Sequence, residues 1–259
     1  MTQADLVAAI EKKQFRLVFQ PKIDCITRKL TGFEALVRWD HPDQGMIMPD
    51  QFIPLSESLG LIGQVTEQII LLALEWYAKT PEIHGTTISI NLSDQTILDP
   101  NFATWLSQTC EAAGVPEESI LLEFSVRASL KDLPTSRSAF SKLQGFGFGV
   151  SIDHFGLGDE TVEQLAVLPI SELKVDKTLS ISGGLSLEYR SKIESIVAAA
   201  HAKSVPVVVE GIEDRDTLQY LRAVGCEGAQ GYYIACPMGG DLVPEWLAAH
   251  NESREKHLL

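Results

Sequence analysis

Six short apolar runs along the chain each end on a single polar residue. Leu30-Thr31-Gly32-Phe33 stops at Glu34, Ile88-Ser89-Ile90 at Asn91, Ile120-Leu121-Leu122 at Glu123, Val150-Ser151-Ile152 at Asp153, Ile170-Ser171-Glu172-Leu173 at Lys174, and Val207-Val208-Val209 at Glu210. Each run is separated from the next by a stretch long enough for a helix. Parallel strands buried on both faces read as near-continuous Val/Ile/Leu, and strand–helix alternation predicts a mainly parallel sheet. In a (β/α)₈ barrel the C-terminal strand ends converge on one mouth, so these six residues would share it. Acidic and amide oxygens gathered there are hard ligands, suited to a divalent cation.

The opening is different. Strands predicted at 15–23 and 29–39 are joined by a polar turn at 24–28, too short for a parallel crossover, which predicts an antiparallel first pair. Further strands are predicted at 86–91, 119–125, 147–153, 171–175, 205–210 and 227–230, with helices at 1–13, 49–59, 62–79, 100–113, 134–145, 160–167, 188–203 and 214–223. Gly145, Gly147, Gly225 and Pro206 fall at helix-to-strand joints, and Glu213 reads as a favourable charge at the start of helix 214–223. Eight strands suffice to close a ring. The predicted fold class is therefore α/β, a (β/α)₈ TIM-like barrel with an antiparallel first strand. A single domain over 1–259 is expected, with an N-terminal helix at about 3–13, the barrel at about 15–248 and a frayed polar tail at 249–259.

Composition narrows the chemistry. With 259 residues and 45% hydrophobic content the chain can bury one large core. A net charge of −14 argues against a broad nucleic-acid surface, which needs excess Lys and Arg, and an anionic ligand would require a local cation. Cys25, Cys110, Cys226 and Cys236 are widely spaced with no C-x-x-C pair, which fits packing roles in a reducing compartment. No run of about eighteen apolar residues is present, so membrane insertion is not expected and a cytoplasmic location is.

The run Phe33-Glu34-Ala35-Leu36-Val37-Arg38-Trp39 followed by His41-Pro42 resembles the signature of the bacterial EAL domain family, whose active members hydrolyse cyclic di-GMP. Further matches in family order are Phe19-Gln20-Pro21, Phe52-Ile53-Pro54-Leu55, Asn91-Leu92-Ser93, Leu122-Glu123, Asp153 with Phe155-Gly156, Glu172-Leu173-Lys174-Val175-Asp176, Glu210-Gly211-Ile212-Glu213 and Ala229-Gln230-Gly231-Tyr232. The resemblance implies that Glu34, Asn91, Glu123 and Asp153 hold a first Mg²⁺ or Mn²⁺, with Ca²⁺ as a non-catalytic substitute. Lys174 and Glu210 would be the catalytic residues of an active member. Gln20, Glu34, Leu36, Arg38, Asn91, Asp153, Gln230 and Pro237 would line the ligand, Arg38 at a phosphate and Gln20 on the floor.

Three departures from the family pattern lie on one side of this site. The paired aspartates of active members are Asp153-His154 here, and Mg²⁺ prefers oxygen to imidazole. The loop that organises the second metal reads Phe155-Gly156-Leu157-Gly158-Asp159-Glu160-Thr161, with Leu157 and Asp159 among the altered positions. The family's Glu-x-x-Glu is Glu123-Phe124-Ser125-Val126, and valine cannot accept a loop's hydrogen bonds. The leading expectation is a degenerate EAL domain that binds cyclic di-GMP as a signalling module with weak or no hydrolysis. One rival is an active phosphodiesterase giving linear product, with His154 as ligand to a second Mn²⁺. The other is a protein-interaction module that has lost the ligand. A homodimer or a partner signalling domain is the expected assembly. Alternatives stay open at single residues: Arg38 could pair with Asp40, Lys174 with Asp176 or Glu172, and His41 reads as a turn residue.

Overall fold

A computed structural model describes residues 2–181 and 186–256. Its strands are β1 (Phe15–Asp24), β2 (Leu30–His41), β3 (Gly45–Ile47), β4 (Thr87–Asn91), β5 (Ile120–Ser125), β6 (Gly149–Phe155), β7 (Glu172–Val175), β8 (Val207–Val209), β9 (Gly228–Gln230) and β10 (Met238–Gly239). They form one sheet in the order β10-β1-β9-β8-β7-β6-β5-β4-β2-β3, and a β1–β2 pairing closes it. Strands β3 and β10 lie outside the ring of eight. Within the ring β1 runs antiparallel to both β2 and β9, whereas the pairs from β2–β4 round to β8–β9 are parallel. This is the barrel with an antiparallel first strand that the short 24–28 turn predicts.

Alternation along the strands divides the core into two chemistries. Ile88, Ile90, Leu122, Phe124, Ile152, Leu173 and Val175 belong to the continuous apolar cluster, packed with the surrounding helices Ile62–Lys79, Phe102–Ala113, Leu133–Phe146 and Leu187–His201. The intervening residues are polar and buried: Ser89, Glu123, Ser151, Asp153 and Lys174. Helices Leu133–Phe146 and Arg215–Val224 end on Gly147 (φ 103°) and Gly225 (φ 96°), the left-handed caps that release the chain into β6 and toward β9.

Several expectations need correction. The tail is not frayed through the described residues, because Val243–Glu255 is a helix that buries Val243, Leu247 and His250, His250 bonding to the Arg28 carbonyl at 2.8 Å; 257–259 lie outside the described residues, as does Met1 of the opening helix, which runs Gln3–Glu11. The helix at 160–167 is one turn, Val162–Leu165, started by a Thr161–Gln164 capping box. A short helix, Val126–Lys131, follows β5 directly where the sequence pattern predicts none. Asp214 caps helix Arg215–Val224 by accepting from Thr217 N, and Glu213 directly precedes that cap. Cys236 is exposed, unlike the three packing cysteines. No helix among the described residues is long and apolar enough to cross a membrane.

Candidate functional site

One side chain from each barrel strand, or from the residue following it, reaches a common centre. Gln20 comes from β1, Glu34 from β2, Asn91 from β4, Glu123 from β5, Asp153 from β6, Lys174 from β7 and Gln230 from β9, with Glu210 directly after β8. Asn91 Nδ2 donates to Glu34 Oε1 at 2.6 Å, Gln230 Nε2 donates to Glu34 Oε2 at 2.7 Å and to Gln20 Oε1 at 3.2 Å, and Gln20 Nε2 donates to the Ala235 carbonyl at 3.1 Å. The ammonium of Lys174 lies 2.7 Å from Glu123, 2.8 Å from Glu210, 3.3 Å from Glu34 and 3.8 Å from Asp153. Lys174 is wholly buried and pairs with neither Asp176 nor Glu172.

These contacts set the protonation states. Burial alone would raise the Glu34 carboxyl, but Lys174, Asn91, Gln230 and Lys22 outweigh it and hold the pKa at about 2. For Glu123 burial prevails over Lys174, with Glu34 and Asp153 adding repulsion, and the pKa rises to about 8. Burial likewise lifts Glu210 to about 7 against the pull of Lys174. Lys174 is driven well above its ordinary value: burial opposes its charge, yet Asp153, Glu123, Glu34 and Glu210 overcome that.

A lower polar layer, unsuspected at the level of sequence, underlies the site. Lys22 Nζ donates to Ser89 Oγ at 2.7 Å and to Glu172 at 3.2 Å, and Ser151 Oγ donates to Glu172 at 3.1 Å. Lys22, Ser89 and Glu172 sit on the non-adjacent strands β1, β4 and β7, so the Lys22 contacts cross the barrel interior, whereas Ser151 reaches Glu172 from the neighbouring strand β6. Lys22 also approaches Glu123 Oε1 at 3.8 Å. The signal was present: each of these residues stands two positions from a mouth residue on its own strand (Lys22 from Gln20, Ser89 from Asn91, Ser151 from Asp153, Glu172 from Lys174), which is the period of a strand face.

At the end of β6 the pairing with β7 loses register between Ile152 and Phe155. There His154 adopts φ 60°, a left-handed conformation uncommon outside glycine, and its N–H donates to Asp153 Oδ1 at 2.7 Å. The bulge leaves Asp153 buried and turns the imidazole outward, with its side chain 55% exposed. His154 Nδ1 meets Asp176 Oδ2 at 2.8 Å and Nε2 lies 3.6 Å from Asp153. Burial would lower the imidazole pKa, but Asp153, Asp176 and Glu210 raise it. Among the described residues Asp153, His154 and Glu210 bring ligand atoms within 4.8 Å of one another.

The donor set fits a hard divalent cation. Among the described residues buried Glu123 Oε1 and Gln230 Oε1 have no hydrogen-bond partner, an uncommon state for buried oxygens, and Asn91, by donating through Nδ2, keeps its amide carbonyl as an acceptor.

Arg38 stands four residues beyond Glu34 on the same face of β2, with Leu36 between. It is buried and donates from Nη1 to the Val37 carbonyl at 2.8 Å; Asp40 pairs instead with Arg16 at 2.8 Å. Leu36, Asn91 and His154 border a groove of about 360 Å³ that also takes in Ile53, Leu92 and Asp94. Pro237 lies directly before β10, half-buried. His41 is a turn residue, accepting from Asp43 N at 3.1 Å and Gln44 N at 3.2 Å in the β2–β3 turn.

On the altered side, Val126 is a buried member of the core cluster at the start of helix Val126–Lys131, where Ser125 Oγ supplies the cap. The loop after β6 closes on itself, Gly158 N donating to Glu160 Oε2 at 3.0 Å, and leaves Leu157 and Asp159 exposed.

Residues 3–237 match the EAL domain family. The sequence is 31% identical over 237 residues to the cyclic di-GMP phosphodiesterase PA2567 of Pseudomonas aeruginosa, covering 90% of this chain and 40% of that protein; the chain spans about two-fifths of the length of such curated relatives. The solved structure of the PaMucR phosphodiesterase in complex with c-di-GMP superimposes with a TM-score of 0.86 at 29% identity, covering 93% of this chain and 98% of that one. The FimX EAL domain from Pseudomonas aeruginosa bound to c-di-GMP gives a TM-score of 0.83 at 25% identity, covering 91% and 95%.

Proposed function

Because the chain belongs to the EAL domain family, we propose that it binds cyclic di-GMP at the barrel mouth and acts as a receptor or signalling module with little or no hydrolysis. The observation that carries binding is the convergence of eight polar side chains, one per barrel strand, on one centre. Glu34, Asn91, Glu123 and Asp153 would hold a Mg²⁺, Mn²⁺ or Ca²⁺ ion, which when bound supplies charge neutralisation for a ligand phosphate. Arg38 offers that phosphate forked donors, Gln20 and Gln230 form the floor, and Leu36 and Pro237 supply apolar walls. Relatives of this chain bear the names of cyclic di-GMP enzymes and complexes. The module is proposed to work as a homodimer or beside a partner signalling domain, in keeping with the greater length of its relatives.

Weak turnover is supported by what stands where hydrolysis needs a second cation. His154 is engaged with Asp176, Val126 is apolar and buried, and the loop from Phe155 to Thr161 is tied to its own Glu160. One cation can hold a phosphate, whereas in-line displacement calls for both attacking and leaving oxygens to be stabilised. Calorimetric titration of cyclic di-GMP in Ca²⁺ and in Mn²⁺, followed by chromatography of Mg²⁺ and Mn²⁺ samples, tests both halves. Binding in both ions without multiple turnover in Mg²⁺ is expected. Efficient linearisation in Mg²⁺ would establish the enzyme instead, and no binding in either ion would favour the interaction module.

A further inference from the structure

The ammonium of Lys174 lies within 4 Å of four carboxylates contributed by four different parts of the barrel, at 2.7, 2.8, 3.3 and 3.8 Å, and none of it is exposed. Three of those carboxylates, on Glu34, Glu123 and Asp153, are the same groups assigned above to a divalent cation. Metal–oxygen distances of about 2.0–2.6 Å would set such an ion and this ammonium against each other across shared oxygens. Like charges that close, in a buried site, repel far more than in water. We infer that Lys174 is the resident counter-ion of the barrel mouth: it holds the space between Glu34, Glu123 and Glu210 until a divalent ion displaces it, and so sets the ion concentration at which the site loads.

The remainder of the barrel is consistent with this division of labour. Lys22, one layer below, is anchored by Ser89 at 2.7 Å and Glu172 at 3.2 Å and stays put. Lysine's flexible stem and three rotatable donors let Lys174 retreat toward Glu210 without losing every partner. Without an internal cation the clustered acids would strain the metal-free barrel, since a buried charge left unpaired is strongly destabilising.

The inference rests on the cation-binding reading, and the test separates the two. Mn²⁺ binding is followed by the electron paramagnetic signal of the free ion, and thermal unfolding is measured in chelator and in Mn²⁺. Lys174→Met should bind Mn²⁺ about tenfold or more tightly than the unaltered protein, melt lower in chelator, and recover in Mn²⁺. Lys22→Met, which removes the other buried ammonium, should melt lower in both conditions without the gain in affinity. Equal or weaker Mn²⁺ binding by Lys174→Met, with binding by the unaltered protein intact, overturns the inference alone. Absence of binding by the unaltered protein overturns the cation reading and the inference with it. Should Lys174→Met not fold, the ¹⁵N–¹H ammonium resonance of Lys174 in the unaltered protein decides: it should shift on saturation with Mg²⁺, and an unmoved resonance refutes displacement.

Discussion

Arg38→Ala is the most direct probe of the ligand reading. The guanidinium is buried, sits on the Glu34 face of β2, and has a single hydrogen bond among the described residues, from Nη1 to the Val37 carbonyl. No carboxylate among the described residues is within ion-pair distance of it, because Asp40 is taken by Arg16. Burial, followed by the like charge of Arg16, lowers its pKa, so the side chain gains more from an incoming anion than an exposed arginine would. A hydrogen bond to a charged group is worth about 1.5–3 kcal/mol net, which corresponds to a roughly 10- to 150-fold weaker Kd for cyclic di-GMP in Arg38→Ala. Calorimetry in Ca²⁺ at low salt measures it, with the melting temperature as a control for folding. Arg38→Lys should fall between the two, since it keeps the charge and loses the fork. Unchanged affinity in a folded Arg38→Ala protein would remove Arg38 from the ligand site.

Hydrolysis in Mg²⁺ should respond to restoration as a unit: His154→Asp alone leaves it near background, whereas His154→Asp with Val126→Glu and a rebuilt 155–161 loop raises it clearly, as measured by chromatography of linear product. In chelator, stability should fall as pH rises from about 5 to 8, because the folded-state pKa values of Glu123 (about 8) and Glu210 (about 7) lie above 4.5 and that of His154 lies above 6.5; folding therefore favours their protonated forms, an advantage lost as pH climbs through those values. Melting temperatures across that range check this, and a flat profile refutes it. Gly231→Ala would place a Cβ 2.1 Å from the Ile212 nitrogen and 2.2 Å from its oxygen, forcing Gln230 and the segment after Glu210 apart. A loss of about 1–3 kcal/mol in denaturant unfolding, together with weaker ligand binding, is expected.

The polar residues at the ends of the apolar runs fixed the barrel and its mouth from sequence, because a buried strand can end on a carboxylate or an ammonium only where something receives the charge. The short 24–28 turn likewise determined that β1 is antiparallel, since a parallel crossover needs a dozen or more residues. What the order of residues left open was which charges meet. Lys174 could have paired with Glu172 or Asp176 nearby in sequence, but strand alternation and closure carry it across the barrel to Glu34, Glu123 and Glu210, and give Glu172 to Lys22. Arg38 could have taken Asp40, two positions on along the same face of β2, but β1–β2 pairing brings Arg16 alongside and Asp40 meets Arg16 instead. The β6 bulge, which sets the exposed His154 ring against Asp176 beside Asp153, depends on the offset between two strands. Local sequence therefore determined which groups are buried at the mouth, and only the closed, staggered ring decided their partners, because distances between charges on non-adjacent strands exist only once the ring has closed.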